Sequence, residues 1–277
     1  MYRLLVWSSK GGVGKTTSVA NLGPALARRG NNVLLVGFDA HQPDLEMTFG
    51  IEDDDDVTRI EDLLAGSADP VAATIEIDDP IAPTRNHKPG GSLRLLATSE
   101  RLLALTADVA ATGRFDALDQ LLTQLDETAD IALIDTTGAV TPLTRMAMFA
   151  ADGILFCGEP GVYEAKTIAR RLDELDELGV EAGHAITPVG MLFVRTNARS
   201  RQLRAWAAAF AKPEQFPSGP LYVFQTHIRQ QSSVRDHPGY GVPTVFADPG
   251  GRVAHDYAAA AKELEARLAQ LAQDQAA

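Results

Sequence analysis

Residues 8–17 read Ser-Ser-Lys-Gly-Gly-Val-Gly-Lys-Thr-Thr, and this stretch decides the fold. An apolar run at residues 4–7 precedes it and predicts a buried strand, while residues 19–27 after it predict a helix. A glycine-rich loop between a strand and a helix is typical of a phosphate-binding loop. The glycines allow backbone N–H groups to surround phosphate oxygens, and the N-terminus of the helix adds a favourable dipole.

Side chains within this loop predict a bound nucleoside triphosphate with its metal ion. Lys15 has the position that contacts the β- and γ-phosphates, and the Thr16 hydroxyl has the position that binds Mg²⁺. ATP and Mg²⁺ are therefore the expected cofactors. The residues predicted to bind the nucleotide are Lys10, Gly11, Gly12, Val13, Gly14, Lys15, Thr16 and Thr17.

The loop departs from the general phosphate-binding pattern at one point. Ser9 stands where that pattern has glycine, and an additional lysine, Lys10, directly precedes the glycine pair. In this the loop resembles the deviant Walker A loop of the ParA/MinD ATPases, and the resemblance covers residues 1 to about 271. It implies an ATP-bound homodimer in which Lys10 reaches the partner's nucleotide, so that Lys10 and Lys15 both serve catalysis.

A second motif follows the apolar residues 32–38, which predict a buried parallel strand. That strand brings Asp39 to the carboxyl end of the sheet, where α/β proteins bind their ligands. The segment resembles a family motif in which two acidic residues flank one other residue, with Gly37 at the first acidic position and Asp39 at the second. By resemblance, Asp39 is catalytic and positions the attacking water. The missing acid at Gly37 predicts weaker outer contacts to Mg²⁺ and slow hydrolysis.

A third motif is the apolar stretch 131–134, which ends in Asp135. An aspartate at the end of an apolar strand is the Walker B pattern, and its carboxylate can hold Mg²⁺ through water. Thr16 and Asp135 are therefore the predicted metal-binding residues.

Length and composition fit this class of protein. A chain of 277 residues with 45% hydrophobic residues can form one large α/β domain. Further apolar strands are predicted at residues 93–97, 153–157 and 189–194, with helices at 100–107 and 113–127. We expect a single domain over residues 1–277 that has a doubly wound, mainly parallel sheet with helices on both faces, the fold of a P-loop NTPase.

The sequence also predicts where the protein is found. It has no run of about 18 apolar residues and no secretion signal, so no membrane span or export is expected. The single cysteine, Cys157, excludes an internal disulfide and fits a reducing compartment. We therefore expect a cytoplasmic protein, associated with the nucleoid if it binds DNA.

Four arginines lie within residues 195–204, a stretch without acidic residues in a chain of net charge −12. Clustered arginines can contact DNA phosphates without reading the sequence, and the alternative is a solvated start of a helix. Two more arginines follow in the segment 223–245, which also resembles ParA proteins. The predicted DNA-binding residues are Arg195, Arg199, Arg201, Arg204, Arg229 and Arg235.

The resemblance implies a slow, Mg²⁺-dependent ATPase that binds non-specific DNA as an ATP dimer. A ParB-like partner protein would stimulate hydrolysis, and plasmid or chromosome cargo would thereby be segregated. Two alternatives are an ATPase that positions a protein assembly with the same switch, and a MinD-like membrane-associated regulator. The last predicted helix, residues 252–273, mixes Lys262 and Arg267 with acidic residues. It therefore lacks a basic membrane-binding face, and no membrane partner is expected.

Overall fold

A seven-stranded sheet forms the centre of the computed structural model, which describes residues 1–8, 10–52, 56–79, 91–197, 201–210, 221–231, 234 and 241–276. The strands are β1 (Tyr2–Trp7), β2 (Asn32–Phe38), β3 (Ile75–Glu76), β4 (Ser92–Leu96), β5 (Ile131–Thr136), β6 (Gly153–Gly158) and β7 (Thr187–Phe193). Their order is β3-β4-β2-β5-β1-β6-β7, and only the edge strand β3 runs antiparallel to its neighbour. This confirms the doubly wound, mainly parallel sheet that the sequence predicts.

Helices cover both faces of the sheet. They are α1 (Lys15–Ala27), α2 (Asp44–Thr48), α3 (Ile60–Leu64), α4 (Leu105–Thr112), α5 (Ala117–Thr123), α6 (Pro142–Phe149), α7 (Val162–Ala182), α8 (Arg201–Phe210), α9 (Thr244–Ala247) and α10 (Arg252–Ala276). A 3₁₀ turn at Glu100–Ala104 leads into α4. Helices α1, α2, α9 and α10 pack on one face, and α3 to α8 contribute to the core on the other.

The central strands are apolar on both faces because each face is covered by helices. Side chains alternate along β1: Leu4 and Val6 pack with Val19 of α1, whereas Leu5 and Trp7 join the opposite core. This alternation fixes the register of the sheet, since a shift by one residue would exchange the two sets.

The register of the three central strands aligns the residues at their carboxyl ends. Asp135 of β5 is paired with Val6 of β1 on one side and with Gly37 of β2 on the other. The loop that follows β1 and the segment that follows β2 therefore leave the sheet beside Asp135. The three predicted motifs meet at this edge, as ligand-binding residues do in open α/β sheets.

The boundaries of several helices differ from the prediction. The helix predicted over residues 100–107 is a 3₁₀ turn followed by α4, which continues to Thr112. Gly113 ends α4 in the left-handed conformation, with φ 69°, and does not begin the next helix. Helix α2 and strand β3 were not predicted, because elements of five and two residues are too short to show a periodic pattern.

Candidate nucleotide-binding site

The loop between β1 and α1 has the backbone of an anion-binding site. Gly12 and Gly14 adopt φ values of 69° and 110°, which side chains of L-residues disfavour. Gly14 directly precedes α1 and carries no side chain that could cap the helix. The first N–H groups of α1 are thus available to a phosphate.

The two lysines of the loop have different environments. Lys15 is 6% exposed, and its Nζ donates a hydrogen bond to the backbone oxygen of Lys10 at 3.3 Å. The side chain of Lys10 is instead exposed to solvent. Lys15 therefore lies within its own loop, whereas Lys10 is accessible to a second molecule.

Asp135 provides a buried carboxylate beside the start of α1. Only 1% of the residue is exposed, and Oδ1 has no hydrogen-bond partner in the part of the chain that is described. Burial raises the pKa of Asp135 to about 8, and the charges of nearby carboxylates raise it further. A hydrogen bond from the Thr16 side chain and the charge of Lys15 act in the opposite direction and lower the pKa. A buried carboxylate with an unpaired oxygen is stabilised by a cation. Thr16 and Asp135, predicted separately, therefore come together and fit a hydrated Mg²⁺.

Asp39 follows β2 at the same edge of the sheet. It is half-buried, and its Oδ1 accepts a hydrogen bond from the backbone N–H of His41 at 3.1 Å. Burial is the main reason why the pKa values of Asp135 and Asp44 are raised, and the negative charge of Asp39 raises both further. Among the described residues, no three His, Cys, Asp or Glu side chains form a metal-binding group. A Mg²⁺ ion here would need nucleotide and water oxygens as further ligands, which is its usual mode of binding.

Glu46 of α2 also belongs to this edge of the sheet, although the sequence does not predict it. Its side chain lies against Gly37: a Cβ atom on residue 37 would overlap Glu46 Oε1 and stand 2.9 Å from Cδ. Burial raises the pKa of Glu46 to about 7, although a hydrogen bond from the backbone N–H of Thr98, at 2.8 Å, opposes this. Nothing in the spacing of the sequence points to this contact, because it depends on how α2 packs.

Gly138 connects the segment after β5 to the phosphate-binding loop. A Cβ atom on this residue would lie 2.7 Å from the backbone oxygen of Ser8 and 3.0 Å from that of Lys10. A real Cβ atom cannot approach backbone this closely without displacing it. The glycine thus allows the two loops to pack against each other.

A cavity of about 440 Å³ adjoins the loop on the side of Gly14 and Thr17. Its volume is in the range of pockets that hold small organic ligands. Its walls come from the loop, the end of β7, the segment 228–231 with Val234, and α10. Val194, Arg195, Ile228, Arg229, Gln230 and Tyr257 are among the lining residues. The sequence does not predict this cavity, since its walls come from four separate parts of the chain.

Comparison with known proteins identifies the family. The sequence profile of the AAA domain family matches residues 3–184. A ParA family protein of Chlamydia pneumoniae is 30% identical over 268 residues, which span 95% of this chain and 97% of the relative. The chain belongs to the ParA family.

Two further similarities agree with this assignment. A chromosome-partitioning ATPase Soj of Thermus thermophilus is 28% identical over 269 residues, or 96% of each chain. The solved complex of Cyanothece McdA with ATP has the same fold, with a TM-score of 0.77, 20% identity, and coverage of 97% of this chain and 96% of that one. This ParA family member is a P-loop ATPase of the ParA/MinD superfamily.

Two of the six predicted DNA-binding arginines of this ParA family member form ion pairs with carboxylates. Arg195 and Arg229 both line the cavity. An isolated β-bridge between Thr196 and Arg229 holds their two segments side by side. Arg195 has a φ of 53°, which is unusual for a non-glycine residue, and it contacts Glu159 at 3.4 Å. The guanidinium of Arg229 donates two hydrogen bonds to Asp256, at 2.7 and 2.6 Å, and its backbone N–H donates a third at 3.1 Å.

Helix α8 carries two more of the candidate arginines. Arg204 is exposed on α8, and Arg201 is the first residue of that helix. Arg199 and Arg235 lie outside the described residues. The interaction with DNA remains a prediction. No helix in the described part of this ParA family member is long and apolar enough to span a bilayer.

Proposed function

We propose that this ParA family member is an ATP-dependent switch that dimerises around two bound nucleotides. The observation that carries the proposal is the contrast between the lysines, with Lys15 buried in its own loop and Lys10 exposed. An exposed lysine beside a phosphate site gains a charge-assisted hydrogen bond when a second nucleotide faces it. Lys10 of each subunit would supply that contact to the other.

Hydrolysis would proceed by positioning and charge neutralisation, as phosphoryl transfer requires. Lys15 and the N–H groups of the loop would hold the phosphates, Asp39 would orient the attacking water, and the cavity of about 440 Å³ would hold the nucleoside. Thr16 and Asp135 would hold Mg²⁺ through the Thr16 hydroxyl and water. When bound, Mg²⁺ neutralises charge on the phosphate oxygens.

Substitution of the two lysines tests the switch. Lys10→Ala should abolish ATP-dependent dimerisation measured by light scattering while nucleotide still binds to the monomer. Lys15→Ala should instead lose nucleotide affinity, and Lys262→Ala, an exposed lysine on α10, is the control. An ATP dimer of unchanged affinity in Lys10→Ala would contradict the proposed role of that residue.

We also propose that the ATP dimer binds DNA without sequence preference and that a ParB-like partner stimulates hydrolysis. The Thermus relative is named a chromosome-partitioning ATPase, which supports segregation of a plasmid or chromosome as the cargo. Arg201, Arg204 and the predicted Arg199 and Arg235 are the candidates for phosphate contacts. Dimerisation would bring two such patches together and offset the net charge of −12.

A second candidate is an ATPase that positions a protein assembly. It is favoured by the ion pairs Arg195–Glu159 and Arg229–Asp256, which engage two of the six candidate arginines with carboxylates. A membrane-associated regulator has less support, because Glu263 and Glu265 lie between Lys262 and Arg267 on α10 and would be repelled by anionic lipid.

Fluorescence anisotropy with random-sequence duplex DNA, ATP and Mg²⁺ separates the two candidates. For the DNA-binding candidate, affinity should fall with salt, and Arg204→Ala should lower the slope of log affinity against log salt by about one for each lost contact. Failure to bind at low salt, in a protein that still dimerises, would favour the positioning ATPase.

A further inference from the structure

The register of the sheet places a side chain on residue 37 next to Asp135. Gly37 and Asp135 are paired in adjacent parallel strands, which lie about 4.8 Å apart. Paired residues point to the same face, and Leu35 and Leu133, two residues before them, both pack in the core below α1. An acidic residue at position 37 would therefore place its carboxylate beside Asp135, on the side of the phosphate-binding loop.

Glu46 occupies that space. The overlap of its Oε1 with the position of a Cβ on Gly37 shows that one residue or the other can fill the site, but not both. Glu46 is 2% exposed, and within the described part of the chain its Oε2 has no hydrogen-bond partner. The charge of Glu46 is close enough to add to the raised pKa of Asp135.

The contacts of Glu46 with other residues do not account for a buried carboxylate. One oxygen accepts the hydrogen bond from the backbone N–H of Thr98, and a backbone hydrogen bond within Glu46 adds to it. The compensating charge comes from Arg59. The guanidinium of Arg59 is bonded elsewhere: NH1 donates to the backbone oxygen of Thr98 at 2.9 Å and NH2 to that of Glu52 at 2.6 Å. Burial of an ionised carboxylate without a partner is strongly unfavourable, so a cation in the site would stabilise Glu46 and Asp135 together.

We propose that Glu46 is the second acidic residue of the magnesium site, supplied by α2 in place of the residue that β2 lacks at Gly37. Its free oxygen orients water bound to Mg²⁺ beside Asp135, which makes Glu46 a positioning residue for the reaction. The inference rests on the proposed ATPase function and adds to it the source of the missing acid. If Glu46 supplies the second acid, the absence of an acidic side chain at Gly37 no longer predicts slow hydrolysis.

The substitution Glu46→Gln tests this role, because glutamine keeps the shape and the acceptor for Thr98 but removes the charge. The measurement is the affinity of a fluorescent ADP analogue, titrated with Mg²⁺ and repeated in EDTA. Mg²⁺ should increase the affinity for the ADP analogue, and the midpoint of this increase should lie at an about tenfold higher Mg²⁺ concentration in the variant. Its affinity in EDTA and its melting temperature should not fall.

A purely structural role predicts the opposite pattern. Glu46→Gln would then respond to Mg²⁺ like the unchanged protein, and that result would overturn the proposal. Glu61→Gln is the matched control, since Glu61 is also buried and accepts hydrogen bonds from Ser99 and Thr98. It should alter only stability. If the unchanged protein itself bound no nucleotide, the proposed ATPase function would fail as well, so the two failures are distinguishable.

Exchange of the two positions gives a second, independent test. Gly37→Asp alone should lower the melting temperature, because its side chain overlaps the Glu46 carboxylate. The double variant Gly37→Asp, Glu46→Ser should regain stability and the Mg²⁺ response that Glu46→Ser loses. A double variant that stays as insensitive to Mg²⁺ as Glu46→Ser would contradict the idea that the two acids are equivalent in space.

Discussion

Asp39 is more exposed than Asp135 and Glu46, and the hydrogen bond that it accepts from the backbone N–H of His41 is local. Asp39→Ala should therefore leave folding and nucleotide binding intact. Hydrolysis should fall by about a hundredfold or more, because the attacking water loses the group that positions it. Phosphate release measures the rate of hydrolysis. Light scattering with ATP measures dimerisation, and the ATP dimer should persist in the variant. A normal rate of hydrolysis would show that another residue orients the water.

The buried carboxylates predict how stability depends on pH in the metal-free protein. Burial raises the pKa of Asp135 to about 8 and that of Glu46 to about 7, whereas both titrate near pH 4 in the unfolded chain. The folded state thus binds more protons between these values, so the free energy of unfolding decreases as pH rises through them. In EDTA, the melting temperature should be lower at about pH 8 than at about pH 6, since each kcal/mol shifts it by about 2–4 °C.

The same pH series gives the control for this prediction. Asp135→Asn and Glu46→Gln should each flatten the dependence, because the neutral side chains do not titrate. Excess Mg²⁺ with ADP should raise the melting temperature more at the higher pH, where the acids are ionised. A melting temperature that rises with pH in EDTA would show that these two groups do not dominate the titration.

At the level of single residues, the sequence predicts the groups whose roles are encoded by local spacing. Lys15, Thr16 and Asp135 follow from a loop and a strand end, and the structure brings them together. Glu46 could not be found in this way, because its role depends on a tertiary contact between α2 and Gly37. The partners of Arg229 could not be predicted either, since Asp256 lies on a helix distant in sequence.

At the level of elements, the packing of the segment after β5 against the phosphate-binding loop leads to a further prediction. Gly138→Ala should weaken ATP binding by about tenfold, because its Cβ would push the backbone of Ser8 and Lys10 out of place. Because the overlap is with backbone, the variant should also lose some stability. Binding of a fluorescent nucleotide and thermal melting measure the two quantities.

Gly250→Ala is the matched control, since a Cβ there would meet no atom within 4 Å. It should bind nucleotide normally. If Gly138→Ala also bound nucleotide normally, the loop would be able to move without loss of its phosphate contacts.

The strands were easier to predict than the helices, for a physical reason. A parallel strand covered on both faces is apolar throughout, and β2 and β5 each stand out in the sequence as such a run. The ends of helices depend on single capping residues, as Gly113 shows at the end of α4. The edge strand β3 has only two residues and depends on its pairing with β4.

At the level of the whole molecule, α10 connects the first helix to the wall of the cavity. Glu265 binds Arg29 at 2.7 Å and Asn31 at 2.6 Å, at the end of α1. Glu263 accepts hydrogen bonds from Tyr222 and from the backbone of the segment 225–226, at 2.6 to 2.9 Å. That segment leads directly to the cavity residues that begin at Ile228.

Glu263→Ala should therefore reduce nucleotide affinity by several-fold although Glu263 does not line the cavity, because the segment 225–231 loses its anchor. Glu265→Ala should lower stability by about 1 kcal/mol and leave affinity unchanged. Isothermal titration with ADP and Mg²⁺, together with chemical denaturation, compares the two variants. Equal loss of affinity in both would mean that α10 acts only through overall stability.

The shared space of Gly37 and Glu46 also constrains the order in which this site can change over generations. A lineage that gained an aspartate at residue 37 first would pass through a form in which two side chains overlap. A lineage that first lost the acid of α2 would pass through a stable form with a weakened metal site. Only the second route avoids a destabilised intermediate, so the acid of α2 has to be lost before an acid is gained at residue 37.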